Sequence, residues 1–461
     1  MSNRPDRTID GTAGWAVPLG ARPLDPGDGD RGGGGEVVRS FCRRNFIWLV
    51  LDAAIFFFAI SFVDLTGVMP SLLGHLTRAP VLIGLLGSLQ TGAWLLPQLF
   101  AARVVSSRGR KKPIVLLTTT VSRASWLILL LALTFFEQIG PALTLVAAYL
   151  AVALFMFFDG IASLGWYDLI ARAVSPAIRG RLFGAMSLVG GIFATVGGAV
   201  VQRVLGNGAR PFPADYRLLV GVALALLVVG IIPLALVVEP PAATALPPEP
   251  LISYLRRLPA TLRDRPDFRR LVGVQLLVGT SSLAVPFYAP YGILVIGLPE
   301  ADVGTLVMGV TLGAMVGGVS WGYLGDHGRQ GLAVRGMALC GMLGPLLALL
   351  LRPAAPGLPG AAIVLLAAAL FFVGCSIRAG WVAYANYVIE LADDAERPVL
   401  IGTMNTLSGA LAIAPPLGGV LAGWLGYEAA FATAAVCATL GVGASLRLRE
   451  VKAVRTPAPV D

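Results

Sequence analysis

The amino-acid sequence alternates long apolar runs with short polar segments. Twelve of the runs are roughly 20 residues long or more and carry few charges, which is the length a helix needs to cross ~30 Å of hydrocarbon. In the first part of the chain we predict spans at 46–68, 81–104, 114–136, 142–170, 182–206 and 216–238. In the second part we predict spans at 270–296, 301–324, 332–351, 361–390, 399–424 and 427–446. The pattern predicts an all-α integral membrane protein with twelve transmembrane helices.

The polar segments divide the chain into two bundles of six helices. Residues 1–42 are rich in Gly, Asp, Pro and Arg, so we expect a disordered cytoplasmic tail. A Pro-rich and then basic segment, 239–268, is predicted to be a cytoplasmic linker, and 448–461 a second tail. The predicted bundles are therefore 43–238 and 269–447.

Composition and charge agree with a membrane protein. Of 461 residues, 56% are hydrophobic and only 13% are charged, about half the charge of a soluble domain. The net charge of +9 does not indicate nucleic-acid binding, because the basic residues stand at the ends of the apolar runs. By the positive-inside rule we expect both termini and the linker to be cytoplasmic. We expect the protein to lie in the inner (plasma) membrane of the cell. Three arginines near the fifth-to-sixth connection do not follow the rule, Arg203, Arg210 and Arg217.

Several classes of chemistry lack their sequence signatures. The four cysteines (Cys42, Cys340, Cys375, Cys437) have no CxxC spacing, and only two histidines are present. We find no metalloprotease, Walker A or nucleophile-elbow motif. We therefore expect no metal, no cofactor, no enzymatic activity and no ATP-driven pump.

One stretch of the sequence occurs twice. "FFDGIASLGW" at 157–166 and "FFVGCSIRAGW" at 371–381 share Phe-Phe-x-Gly and Gly-Trp, with one extra residue in the second copy. Further matches follow at a similar offset, which indicates duplication of a six-helix unit. Two copies with the same orientation predict a pseudo-twofold axis along the membrane normal, with a central cavity between the halves.

Over about residues 43–447 the sequence resembles the major facilitator superfamily. The resemblance is most specific in a loop after the second helix of each half. In "GYLGDHGR" the second half keeps Gly322, Asp326 and Arg329, and in "ARVVSSRGRK" the first half keeps Gly109, Arg110 and Lys111 but has Ser106 for the acid. The resemblance implies a carrier that works by alternating access, in which these loops gate the cytoplasmic side. It also implies that the first, fourth, seventh and tenth helices line the cavity.

Two charges lie near the middle of repeat-equivalent helices. Asp159 shares a helix face with Trp166, and Arg378 shares one with Trp381. We predict that the two charges face each other across the cavity and bind substrate or a proton, since charge inside the membrane usually marks function. The alternative is a permanent structural pair.

Arg123 on the third helix is expected to form a structural pair with Asp52 on the first, although Asp52 as a cavity proton site stays open. The neutral polar and aromatic candidates for the cavity are Gln275, Asn386, Tyr384 and Tyr288. Each of these could instead serve helix packing.

These observations predict a monomeric secondary transporter of a small amphipathic molecule, with proton-coupled efflux. The expected partners are the substrate, protons and the lipid bilayer. One alternative is an uptake carrier in which Arg378 binds a small anionic nutrient. Another is a membrane chaperone or assembly factor that uses the same fold without transport.

Overall fold

The structure is a computed structural model that describes residues 34–106, 109–174, 176–207, 210–239, 259–354, 359–391 and 397–450. Most of the predicted N-terminal tail, the centre of the predicted linker and the end of the C-terminal tail lie outside these ranges. Within them every regular element is helical. The predicted domain boundaries therefore stay predictions, whereas the all-α class is confirmed.

Twelve helical segments of the described chain are long and apolar enough to span a membrane, as predicted. The first six are α1 (Arg43–Ser61), α2 (Pro80–Gln98), α3 (Lys112–Thr134), α4 (Phe136–Ile170), α5 (Arg181–Leu205) and α6 (Ala214–Leu236). The last six are α7 (Pro266–Ile296), α8 (Asp302–Gly325), α9 (Gln330–Leu351), α10 (Gly360–Val388), α11 (Thr403–Leu425) and α12 (Tyr427–Ser445). We call α1–α6 the first half and α7–α12 the second half.

The first span ends earlier than predicted, and Asp64 is the reason. Its Oδ1 accepts hydrogen bonds from the backbone N–H groups of Thr66 (2.8 Å) and Gly67 (2.9 Å). A side chain that bonds the following backbone in this way competes with helix continuation. The chain therefore turns after Ser61 and starts a separate, largely buried helix at Val68–Leu76.

The duplicated stretch has the same packing role in both halves. A Cβ on Gly160 of α4 would lie 2.2 Å from the carbonyl oxygen of Trp94 on α2. A Cβ on Gly374 of α10 would lie 2.1 Å from the carbonyl oxygen of Val310 on α8. Only glycine permits these approaches. The extra residue of the second copy is accommodated in a π-helical turn, Gly374–Arg378, because a π turn adds a residue to a helix without ending it.

The halves contact each other along α5 with α8 and along α2 with α11. A Cβ on Gly304 of α8 would lie 2.3 Å from the Gly198 carbonyl oxygen on α5, and a Cβ on Gly84 of α2 would lie 2.4 Å from the Pro415 carbonyl oxygen on α11. These contacts lie toward the ends of the helices that carry the α1–α2 and α7–α8 connections. We call this side of the protein the closed face.

The same helices separate toward the opposite side, which we call the open face. Gly184 is seven residues from Gly191 on α5, and Gly322 is seven residues from Met315 on α8, so each continues the face along which the two helices meet. A Cβ on Gly191 would collide with Met315, but a Cβ on Gly184 or Gly322 would meet nothing within 4 Å. α5 and α8 are therefore apart at the open face.

Candidate functional site

Asp159 lies near the middle of α4 and is partly buried. Its Oδ2 accepts a hydrogen bond from the indole Nε1 of Trp94 on α2, at 3.1 Å. The tight approach of Gly160 to the Trp94 backbone places that indole next to the carboxylate. No described cationic side chain lies within 4 Å of Asp159, so its only described hydrogen-bond partner is a neutral donor, while Arg123 acts on the carboxylate electrostatically from a greater distance.

Asp52 on α1 has a different environment. Its Oδ1 lies 3.1 Å from Nη2 of Arg123 on α3, and the two side chains are only 7% and 5% exposed. Arg123 also donates through Nη1 to the carbonyl oxygen of Leu227 on α6, at 3.0 Å. The Trp166 side chain lies close to the Asp52 carboxylate. This ion pair ties three helices of the first half together, and its charges are compensated.

The candidates in the second half fall into two groups. Tyr384 on α10 and Gln275 on α7 each have a buried oxygen with no hydrogen-bond partner among the described residues. Such atoms are costly to bury unless a ligand or water satisfies them. Tyr288 instead packs in the core, with its ring 4.9 Å from that of Phe431. Asn386 lies against α8, where its side-chain amide nitrogen would be 2.4 Å from a Cβ on Gly325.

Arg378 and Trp381 lie on α10, but their side chains are outside the described part of the structure. The predicted contact between Asp159 and Arg378 therefore stays a prediction. Only Trp166 of the two repeat-equivalent tryptophans has described side-chain contacts. The contacts of the two side chains therefore cannot be compared.

The closed face is held by an ion pair between the halves. Nε2 of His75, just before the end of the helix Val68–Leu76, lies 2.7 Å from Oε1 of Glu300 in the α7–α8 connection. The His75 ring stacks on Phe212, with ring centroids 4.6 Å apart and an interplanar angle of 7°. A hydrogen bond of 2.7 Å between Ser71 and Tyr216 stabilises the same region. The stack and the hydrogen bond lie within the first half, so they orient His75 toward its partner in the second.

Several solved transporter structures share this architecture. A mutant of the nucleoside transporter NupG shares the fold with a TM-score of 0.64 at 12% identity, over 88% of this chain and 99% of that one. A bacterial homologue of the iron transporter ferroportin, in the inward-facing state, gives 0.61 at 13%, over 88% and 99%. A bacterial homologue of the human lysosomal transporter Spinster, inward-facing and unoccupied, gives 0.56 at 15%, over 89% and 98%. Residues 271–461 match the family model of the Major Facilitator Superfamily.

The family model identifies the second half of the chain as a member of the major facilitator superfamily, and the solved transporters share the fold over most of the chain. These findings and the twelve apolar helices support a multi-pass membrane protein of the transporter type. No curated protein matches the sequence. The superfamily recognised from the two loop motifs is thus confirmed, and the match of the family model covers the half with the better-preserved motif.

The superfamily loop of the first half forms a charged cluster at the open face. Lys111 is 2% exposed, and its Nζ donates to the carbonyl oxygen of Val105 and lies 3.9 Å from Asp168. Burial lowers the pKa of the Lys111 ammonium, because the charged form loses its water. Arg172 donates to the carbonyl oxygen of Gly109 at 3.0 Å. Arg110 is exposed.

Glu239, just after α6, supplies an acid to this cluster. The superfamily motif usually has an acid of its own at the position of Ser106. Its carboxylate accepts the backbone N–H groups of Lys111 (2.7 Å) and Lys112 (3.0 Å), the unsatisfied donors at the start of α3. A carboxylate at a helix N-terminus is stabilised by the helix dipole.

The loop of the second half is described less completely. The side chain of Asp326 is outside the described part of the structure. Gly328 has a positive φ of 70°, which glycine adopts without strain, and Arg329 is exposed. The space beside Gly322 is open, as expected where the two halves are separated at the open face.

Sequence reasoning missed Trp94, Glu239 and the pair of His75 with Glu300. Trp94 stands 65 residues from Asp159, and no local pattern links them. His75 carried a usable signal, since it is one of only two histidines and follows an apolar run directly.

Proposed function

We propose that the protein is a secondary active transporter that exports a small amphipathic molecule and is driven by protons. The open face carries the start of α1, the Lys111 cluster and Arg329. These are arginine- and lysine-rich segments, so the positive-inside rule favours a cytoplasmic open face. The described conformation is then inward-facing, with both termini in the cytoplasm and the protein in the plasma membrane.

The observation that carries proton coupling is the contrast between two carboxylates in the first half. Asp52 is neutralised by Arg123, so it can stay ionised throughout the cycle. Asp159 has only the neutral indole of Trp94 as a described partner. An ionised carboxylate with no cation in contact is expensive inside the membrane, and a proton removes that cost. Asp159 is therefore the proton site, and the Asp52 pair is structural.

The predicted pairing of Asp159 with Arg378 completes the cycle. When the halves close at the open face, the guanidinium on α10 approaches the carboxylate on α4 and favours its ionised form. When they separate, the carboxylate takes up a proton. The inward-facing conformation, with the halves apart at the open face, corresponds to the second of these two steps.

The substrate class follows from the few polar groups offered to a ligand. Tyr384 and Gln275 present unpartnered oxygens, while the cavity-lining helices are otherwise largely apolar. A molecule with a large apolar part and one or two hydrogen-bonding groups fits this surface. The structural relatives include a nucleoside transporter and a bacterial homologue of an iron transporter, so the shared fold does not indicate one substrate.

Flux in proteoliposomes tests the proposal. We expect ethidium, an amphipathic cation, to be moved when a pH gradient is imposed, and Asp159→Asn to abolish the pH dependence. Asp302→Asn, which changes an acid at the closed-face end of α8, is the matched control. An unchanged pH profile in Asp159→Asn would contradict the role of Asp159. Movement of carboxyfluorescein alone favours anion uptake, and no flux of either probe by well-inserted protein favours the non-transporting alternative.

A further inference from the structure

Two of the three arginines that break the positive-inside rule, Arg210 and Arg217, line an apolar groove at the closed face. The groove has a volume of about 550 Å³ and is lined by Arg210, Ala214, Arg217, Leu218, Gly221, Val222 and Ala225. Arg203, at the end of α5, is exposed but does not line it. The transport cycle described above uses none of these residues.

The groove runs along one face of α6. Ala214, Arg217, Leu218, Gly221, Val222 and Ala225 follow the spacing i, i+3, i+4, i+7, i+8 and i+11, which is a single helix stripe. From Ala214 to Ala225 the helix rises about 17 Å, close to half of the ~30 Å hydrocarbon core. Asp215 and Tyr216 point the other way, since they are 4% and 0% exposed. The groove therefore lies in the lipid-facing surface of one leaflet.

The two arginines stand at the end of this groove where the span begins. Both are exposed, and neither guanidinium has an ion-pair or hydrogen-bond partner among the described residues. The nearest acid on the same helix, Asp215, is on the buried face. The end of the groove at the start of α6 is therefore basic, and the rest of the groove is apolar. This arrangement is complementary to a lipid with an anionic headgroup.

We propose that this groove, which we call the α6 groove, binds an anionic phospholipid of the leaflet at the closed face. Arg210 and Arg217 hold the phosphate, because guanidinium groups bond phosphate oxygens in a bidentate geometry. One acyl chain lies along Leu218, Gly221 and Ala225. The inference goes beyond the proposed transport function and needs neither its substrate nor its coupling ion.

Binding of phosphatidylglycerol to the full-length protein in nanodiscs, detected by native mass spectrometry, tests the inference. Each basic side chain near an anionic lipid surface contributes about fivefold in affinity, so we expect a preference of about thirtyfold over phosphatidylcholine. Arg210→Gln with Arg217→Gln should remove that preference, and each single change should lower it about fivefold. Arg203→Gln, an exposed arginine of the same face, is the matched control and should have no effect.

A second variant tests the apolar part of the site without changing charge. A Cβ on Gly221 would lie 3.7 Å from Cδ1 of Leu130, an ordinary contact, so Gly221→Leu should fold normally and fill the groove. We expect it to lower phosphatidylglycerol retention while both arginines are intact. Melting temperatures without lipid verify that the variants are folded.

Three results would overturn the inference. They are equal retention of phosphatidylglycerol by the double arginine variant, equal retention of the two lipids by the native chain, and unchanged retention in Gly221→Leu. Millimolar inorganic phosphate that raises the melting temperature as much as phosphatidylglycerol does would indicate a site for free anions. That result would also overturn the inference.

Discussion

Opening of the closed face requires that His75 and Glu300 separate, because they belong to different halves of the protein. Their atoms are 2.7 Å apart, and the side chains are 29% and 30% exposed. Water screens a pair of this exposure, so we assign it about 1 kcal/mol, the upper end of the range for accessible ion pairs. Since ~1.4 kcal/mol corresponds to tenfold, loss of the pair should raise the ratio of open to closed molecules about fivefold.

Glu300→Gln tests the ion pair with the least disturbance. It removes the charge but keeps the stack of His75 on Phe212, which lies within the first half. Spin labels at Gln138 and Gly360, exposed residues at the closed-face ends of α4 and α10, report the separation of the halves by double electron–electron resonance. His75→Gln should give a similar change, and the double variant should add nothing further, because both substitutions remove the same interaction.

The control for this experiment changes a charge in the same cleft and leaves the pair intact. Arg78 lines the cleft beside His75 and Glu300, and Arg78→Gln should keep the native distribution of label distances. A change below twofold in the ratio of open to closed molecules in Glu300→Gln would refute this reasoning.

Two further predictions concern packing. Asp52→Asn should lower the free energy of unfolding by about 3–5 kcal/mol because it leaves the buried Arg123 unpaired, and adding Arg123→Gln should recover part of the loss in thermal unfolding in detergent. An unchanged melting temperature in the single variant would contradict the buried pair. Gly304→Val should keep the closed face from sealing, since its Cβ would lie 2.3 Å from the Gly198 carbonyl oxygen. Gly318→Val, where a Cβ meets nothing within 4 Å, is the control in the same label measurement, and equal effects would argue against the contact.

The sequence was sufficient to predict the number of spans and the duplication. Both depend on properties that run along one chain, the length of an apolar run and the recurrence of "FFxG…GW". It also named Asp52 as a plausible partner for Arg123, and the two side chains lie 3.1 Å apart in the structure. The end of α1 was misplaced because the bonds that Asp64 makes to the backbone are a three-dimensional feature.

Only the tertiary structure decided which side chain meets Asp159 and which face of the protein is closed. The rotation of each helix about its axis places Trp94 beside Asp159, and that rotation follows from the packing of Gly160 against α2. The pairing of His75 with Glu300 depends on how two separately folded halves dock. Hydrophobic patterning determines that a helix enters the membrane, but it is nearly the same for every rotation and every docking of the halves. Those choices arise from contacts between residues far apart in the chain, and the sequence read in one dimension does not contain them.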